Sequence, residues 1–213
     1  MGFTYPISLD IKDKLCVIVG GGNVALRKAN TLLAEGAIVK VISPLLCEKL
    51  AQLAQSNVLE WIDTAFSAEY LEGAFLVIAA TDQREVNRQV ADYCNEHHIL
   101  VNVIDAPEES SFTVNAHFKR GDLLIAISTG GASPAISKKI KEQLQELFGE
   151  EYGIMLKIIA DAREEAMVRI NDTEKRREFL QYLAEMDLAE MLLNHTEDET
   201  RDKVKECLLS YLD

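Results

Sequence analysis

The sequence has no surplus of basic charge, no paired-cysteine motif and no long apolar run, and each absence removes a class of function. Lysine and arginine number 22 against 35 aspartates and glutamates, for a formal net charge of −13. Sequence-independent nucleic-acid binding needs cations that displace phosphate counterions, so this balance argues against it. The 4 cysteines, Cys16, Cys47, Cys94 and Cys207, show no CxxC spacing and read as free thiols of a reducing compartment. Cys16 sits in an apolar run and is expected to be buried and inert. His97, His98 and His195 have no ligand spacing with His117, so no metal is expected. No segment approaches the roughly 20 apolar residues of a membrane helix, and residues 1–10 carry no leader pattern. A cytoplasmic protein without membrane or nucleic-acid partners is the expectation.

What is present is a chain of 213 residues, 48% hydrophobic and 27% charged, enough for one ordinary domain and a smaller appendage. The acidity is uneven, because residues 151–213 hold 16 acidic and 9 basic side chains. Short apolar runs at Leu15–Val19, Ile38–Ile42, Val58–Ile62, Phe75–Ala80 and Ile99–Val103 alternate with helical patterns. The helices are expected after Gly22, through Leu46–Leu53 and over Arg84–Asn95. That alternation predicts right-handed crossovers and an α/β, Rossmann-type doubly wound parallel sheet. After Pro107 the rhythm changes. Phe112–Phe118 and Leu123–Ser128 predict a hairpin turning at Lys119–Asp122, and Ser133-Pro134 predicts a cap and first turn for a helix to about Phe148. Beyond Glu151 there is no proline and one glycine, and three amphipathic helical stretches are expected. The domain reading is 1–112 for the sheet, 113–149 for the hairpin and its helix, and 150–213 for a C-terminal helical domain.

The string VIVGGGNVALRKA places Gly20, Gly22 and Ala25 in a G-x-G-x-x-A pattern between a strand and a helix. Gly20 suits a tight turn, Gly22 suits close approach of phosphate to backbone, and Ala25 suits tight helix–strand packing. The amides opening the helix, from Asn23 and Val24, together with its dipole, favour the pyrophosphate of a nicotinamide dinucleotide. The acidic residue that usually binds the ribose hydroxyls is missing, since the second strand ends Val41-Ile42-Ser43-Pro44. Ser43 and nearby backbone are therefore the candidate ribose contacts. No arginine stands beside the turn for a 2′-phosphate, which favours NAD over NADP.

Ligands of such sheets lie beyond the carboxyl ends of the strands. Thr81 follows one end and reads either as backbone lining the nicotinamide side or as part of a helix cap. Asp105 follows another, as a proton acceptor or as the start of an Asx-turn. The Ser128–Pro134 loop, with Ser128, Thr129 and Gly130, feeds a helix N-terminus and suits a substrate carboxylate. His117 on the hairpin is a packed or solvent-facing histidine or a substrate contact.

Four strings, LCVIVGGGNVALRKA (15–29), AATDQREVN (79–87), VNVIDAPEESSF (101–112) and LLIAISTGGASPAISKKI (123–140), together resemble the precorrin-2 dehydrogenase family. That family also forms the front module of siroheme synthases. The resemblance covers roughly residues 1–150, and the helical tail follows it more loosely. It implies NAD-dependent oxidation of precorrin-2 to sirohydrochlorin. It also implies a homodimer in which the hairpin region of each subunit crosses onto its partner. The family's key aspartate falls on Asp105, and its dinucleotide contacts fall on Gly20–Val24 and near Ser43-Pro44. A serine phosphorylated in some relatives corresponds to Thr129, beside Ser128. Some relatives also insert Fe²⁺ into sirohydrochlorin, and the methyltransferase domain of the trifunctional enzymes is not in this sequence, so no methylation is expected. The rival readings are a dehydrogenase that is also a ferrochelatase, a non-catalytic NAD-binding regulatory domain, and a tetrapyrrole carrier. The substrate's carboxylates need cations, for which Lys119, Arg120, Lys138 and Lys139 are candidates.

Overall fold

The computed structural model describes residues 5–212, which divide into two compact units, 5–114 and 115–212. The first unit is built on five strands, β1 (Leu15–Val19), β2 (Ile38–Ile42), β3 (Glu60–Ile62), β4 (Leu76–Ala79) and β5 (Leu100–Val103). All pair in parallel, in the order β3-β2-β1-β4-β5. The order reverses beside β1, between β2 and β4, and this is the switch point where such sheets open a crevice. Helices α1 (Asn23–Ala34), α2 (Glu48–Gln55) and α3 (Arg84–Glu96) make the crossovers.

The central strands are apolar throughout because both faces are covered. Cys16, Ile18, Val39, Val41 and Ile78 pack with Ala25, Ala29 and Leu32 of α1 and Leu50 of α2. Val17, Val19, Val77, Val101 and Val103 pack on the other face with Val90, Ala91 and Cys94 of α3. Burial raises the Cys16 thiol to about 11 and the Cys94 thiol to about 12, so both stay protonated and inert, as read for Cys16. Gly36 ends α1, at φ 76°, with its N–H and that of Ala37 bonded back to Leu33 and Leu32. Two boundaries differ from the periodicity. Helix α2 starts at Glu48, because the chain before it is held by a Cys47 N–H to Gly21 bond of 2.7 Å. Strand β3 is only Glu60–Ile62, an edge strand.

The second unit holds an antiparallel hairpin, β6 (Ala116–Arg120) and β7 (Leu123–Ile127), with Arg120 opposite Leu123. The hairpin turns at Gly121-Asp122, and β6 begins later than the sequence suggests. Helix α4 (Pro134–Leu147) opens with Ser133 Oγ accepting from the Ile136 N–H, the cap read from Ser133-Pro134. Four helices follow in place of the three expected, α5 (Glu151–Arg169), α6 (Thr173–Glu185), α7 (Leu188–Asn194) and α8 (Glu197–Ser210). The extra break comes from caps. Asp187 accepts from Glu190 N–H, and Thr196 with Glu199 forms a capping box that starts α8 afresh. Phe179, Leu183, Leu188, Val204 and Leu208 make the core of this bundle with Ile158 and Ala162 of α5. The lone tail glycine is explained by close approach, since a Cβ on Gly153 would lie 2.9 Å from the Gly121 nitrogen. Among the described residues no helix is long and apolar enough to cross a membrane.

Candidate functional site

Strand register aligns the carboxyl ends of four strands in one row. Val19 pairs with both Ile42 and Ala79, and Ala79 pairs with Val103. The ladders continue one residue further. Gly20 N–H bonds Ile42, Ala80 N–H bonds Val19, and Ile104 N–H bonds Ala79, at 2.8–3.0 Å. Gly20, Ser43, Ala80 and Ile104 therefore share a row, with Thr81 and Asp105 one step beyond it. With strands about 4.8 Å apart, the glycine turn and Asp105 are roughly 10 Å apart across the top of the sheet.

The glycine turn is fixed from below and open above. Gly20 has φ 126°, and a Cβ there would meet the Ala80 carbonyl oxygen at 2.4 Å. A Cβ on Gly21 would lie 1.8 Å from the Leu45 carbonyl oxygen, so this middle position, unassigned in the motif, tolerates least. A Cβ on Gly22 would meet nothing within 4 Å. Protein packing does not require glycine at position 22, so the open cradle there fits a phosphate pressed against backbone. Gly22 also caps α1 without any side-chain hydrogen bond, which leaves the first amides, including Asn23 and Val24, to an anion at the positive helix end. Ala25 is fully buried beneath them. These features fit a dinucleotide pyrophosphate.

The Ser43 hydroxyl, a candidate ribose contact, is committed elsewhere, and the Thr81 hydroxyl is bound within its own turn. Ser43 is only 9% exposed, and its Oγ donates to the Leu45 carbonyl at 2.7 Å while Trp61 Nε1 donates to the Ser43 carbonyl. Ser43 thus shapes the loop that lies over Gly21, and Pro44 and the 80% exposed Leu45 form the outward rim. Thr81 donates to Asn87 Oδ1 at 2.8 Å and accepts the Gln83 N–H. Asn87 Oδ1 also takes the Thr81 N–H, and its Nδ2 donates to the Thr81 carbonyl at 3.0 Å. Asn87 is 5% exposed, a clamp the sequence reading missed. The available signal was a polar residue on the buried face of α3, between Val86 and Val90.

Asp105 stands alone at the end of β5. It is exposed, at φ 61°, and among the described residues no hydrogen bond or ion pair engages its carboxylate. An Asx-turn would need an N–H two residues on, and that residue is Pro107. Aspartate is among the residues that tolerate this left-handed region, and Asp13, Asn57 and His98 adopt it as well, so what sets Asp105 apart is its place at a strand end.

On the second unit, His117 lies opposite Ala126, and its Nδ1 faces the Asn115 carbonyl at 2.9 Å. Thr129 Oγ1 accepts the Ser133 N–H and lies 3.1 Å from the buried Ser137 Oγ, so its hydroxyl builds the entry to α4. Ser128 stays exposed and receives the Gly130 N–H. Of the candidate cations, Arg120 is committed to structure. Its Nε donates to Phe148, it ion-pairs with Glu150 at 3.3 Å, and it stacks over Phe118. Lys138 pairs with Glu142 along α4.

Comparisons with known proteins bear on the fold and the family. Residues 7–116 match a family model for NAD(P)-binding (NAD_binding_7), and residues 120–147 match the central domain of a sirohaem biosynthesis protein. A siroheme synthase of Thioalkalivibrio sulfidiphilus is 35% identical over 209 residues, covering 98% of this chain and 43% of that protein. A siroheme synthase of Photorhabdus laumondii is 42% identical over 174 residues, covering 82% of this chain and 37% of that protein. The chain thus spans about two fifths of these relatives. The solved structure of SirC, a precorrin-2 dehydrogenase, superposes with a TM-score of 0.77 at 27% identity, covering 95% of this chain and 100% of that one.

Proposed function

The chain belongs to the precorrin-2 dehydrogenase family of NAD(P)-binding proteins, and from that premise we propose that it oxidises precorrin-2 to sirohydrochlorin with NAD. The observation that carries the proposal is the pairing of an open pyrophosphate cradle at Gly22 with an unengaged carboxylate at Asp105 at the same end of the sheet.

The oxidation removes a hydride and a proton from precorrin-2. NAD, when bound, supplies the hydride acceptor. Gly20 and Gly22 with the amides of Asn23 and Val24 hold the pyrophosphate, and Pro44 and Leu45 offer the apolar rim for the adenosine end. The backbone at Ala80 and Thr81 lines the nicotinamide side, held rigid by Asn87. An Asp105 Oδ takes the proton, unhindered by any internal partner. A non-catalytic regulatory domain or a tetrapyrrole carrier does not need a carboxylate at this point.

His117, Ser128, Thr129 and Gly130 are the proposed substrate contacts, through backbone at Thr129 and Gly130 and through the exposed Ser128 hydroxyl. The protein acts as a homodimer through the 113–149 region. Strand β7 reads LLIAI, apolar on both faces, and Leu124 and Ile136 remain 43% and 49% exposed. An isolated two-stranded ribbon is marginal by itself. The reaction belongs in the cytoplasm, in keeping with the four free thiols among the described residues.

Anaerobic precorrin-2, NAD⁺ and the protein are combined while the sirohydrochlorin spectrum is followed. NAD-dependent conversion by the wild type, lost in Asp105→Ala with NADH binding intact, is the expected result. No spectral change, or full turnover without Asp105, would refute the reading. Adding Fe²⁺ to the same cuvette tests the ferrochelatase alternative.

A further inference from the structure

The proposed role of Asp105 leaves open what holds it. Its backbone lies in the left-handed region, and among the described residues its own side chain makes no hydrogen bond or ion pair that would hold it there. β5 is an edge strand, whose outward N–H groups would otherwise be unpaired. Val101 N–H donates to Ser111 Oγ at 2.8 Å, and Val103 N–H donates to Ser110 Oγ at 2.9 Å. Ser110 Oγ in turn donates to the Ala106 carbonyl at 3.0 Å. One hydroxyl therefore grips the chain on both sides of Asp105, two residues before it and one after.

The neighbouring Glu109 adds a second tie. It accepts both terminal nitrogens of Arg84 in a bidentate pair, at 2.5 and 2.7 Å. Arg84 opens α3, directly after the Thr81–Gln83 turn that Asn87 clamps. The pair joins the loop at the end of β5 to the loop at the end of β4. Hydrogen bonding to Arg84 also holds the Glu109 carboxyl below its usual range, which keeps the pair ionised under ordinary conditions.

We infer that Ser110, reinforced by the Arg84–Glu109 pair, is the positioning residue for Asp105, fixing its carboxylate relative to the β4-end loop on the nicotinamide side. The inference rests on the reading of Asp105 as the proton acceptor. Because its hydroxyl is spent on the Val103 N–H and the Ala106 carbonyl, Ser110 acts through the backbone around Asp105. A displacement of about 1 Å at a reacting group costs on the order of a hundredfold in rate, so loosening this loop is a kinetic effect before it is a stability effect.

The test compares wild type, Asp105→Asn, Ser110→Ala, Ser110→Thr, Glu109→Gln and the exchanged pair Arg84→Glu with Glu109→Arg. For each, kcat and KM for precorrin-2, NADH affinity by fluorescence and Tm are measured. Ser110→Ala is expected to lower kcat by about tenfold to a hundredfold. Its NADH affinity should stay within about twofold of the wild type, and Ser110→Thr, which keeps the hydroxyl, should recover most of the rate. Glu109→Gln should lower kcat a few-fold, and the exchanged pair should restore it. Wild-type kcat in Ser110→Ala, or parallel losses of rate, NADH affinity and folding, overturns the inference. Amide hydrogen exchange across residues 103–110 gives an arm independent of turnover. It should quicken in Ser110→Ala while Val77 keeps its protection, and unchanged exchange sinks the proposal. If the wild type itself fails to oxidise precorrin-2, the functional reading fails, and the exchange arm still decides whether Ser110 holds the loop.

Discussion

The two units obey different sequence rules. In the sheet unit, β1 shows four successive buried residues and β4 is buried along its whole length, because helices cover both faces. In the other unit, β7 is as apolar in sequence, yet its burial alternates between half-buried and exposed. The same kind of apolar run therefore means a finished core in one unit and an uncovered surface in the other. Only the partners supplied by the fold tell them apart.

The sharpest way to break the comparison is to strike the chemistry of the sheet unit alone. Asp105→Asn is expected to reduce kcat roughly 10²- to 10⁴-fold with Tm unchanged, measured by anaerobic assay and thermal melts. Next in size is Phe179→Ala in the helical core, where loss of a fully buried ring costs about 3–5 kcal/mol in urea unfolding. Neighbouring glycines separate fold from ligand. Gly21→Ala drives a methyl into the Leu45 carbonyl, and about 1–3 kcal/mol of stability should go with cofactor affinity. Gly22→Ala has open space and an ordinary φ of −87°, so the fold should stay intact while NADH affinity, read by fluorescence, falls on the order of tenfold.

The smallest effect is a dependence on pH in the caps of the helical unit. Backbone hydrogen bonds hold the Asp172 and Glu199 carboxyls below their ordinary values. Carboxyls depressed in this way stabilise the folded state above their unfolded pKa values of 3.8 and 4.5, and the benefit is lost as pH falls through the lower folded values. Chemical denaturation of Asp172→Asn and the wild type should therefore differ at pH 7 and converge in acid. A gap that persists at low pH would assign the cap's role to packing.

Much of the sheet unit was legible. Four of its five strands fall within a residue of the apolar runs, since a strand buried on both faces needs no partner to announce it. The G-x-G-x-x-A turn and the Ser133-Pro134 cap were legible for the same reason, because local backbone geometry demands those residues. The helical tail was read less well, because α7 is shorter than two turns and its caps at Asp187 and Thr196 interrupt one amphipathic pattern. At the strand ends, the places of Asp105 and the glycine turn were legible, whereas Asn87, Ser110 and the closeness of Leu45 to Gly21 were not. Ser43 was read as a ribose contact from its place at a strand end, yet its hydroxyl is bound to the Leu45 carbonyl, as that of Thr81 is to Asn87.

The sequence by itself therefore determined the parallel sheet and the places of the glycine turn and of Asp105 at its strand ends, because each depends on a few adjacent residues. The tertiary structure decided which polar side chains remain available to a ligand. Asn87 reaches back six residues to Thr81, Ser110 reaches seven to Val103, and Arg84 reaches 25 to Glu109. Such bonds depend on strand register and loop return, which no local pattern encodes, and among the described residues they leave the Asp105 carboxylate unengaged.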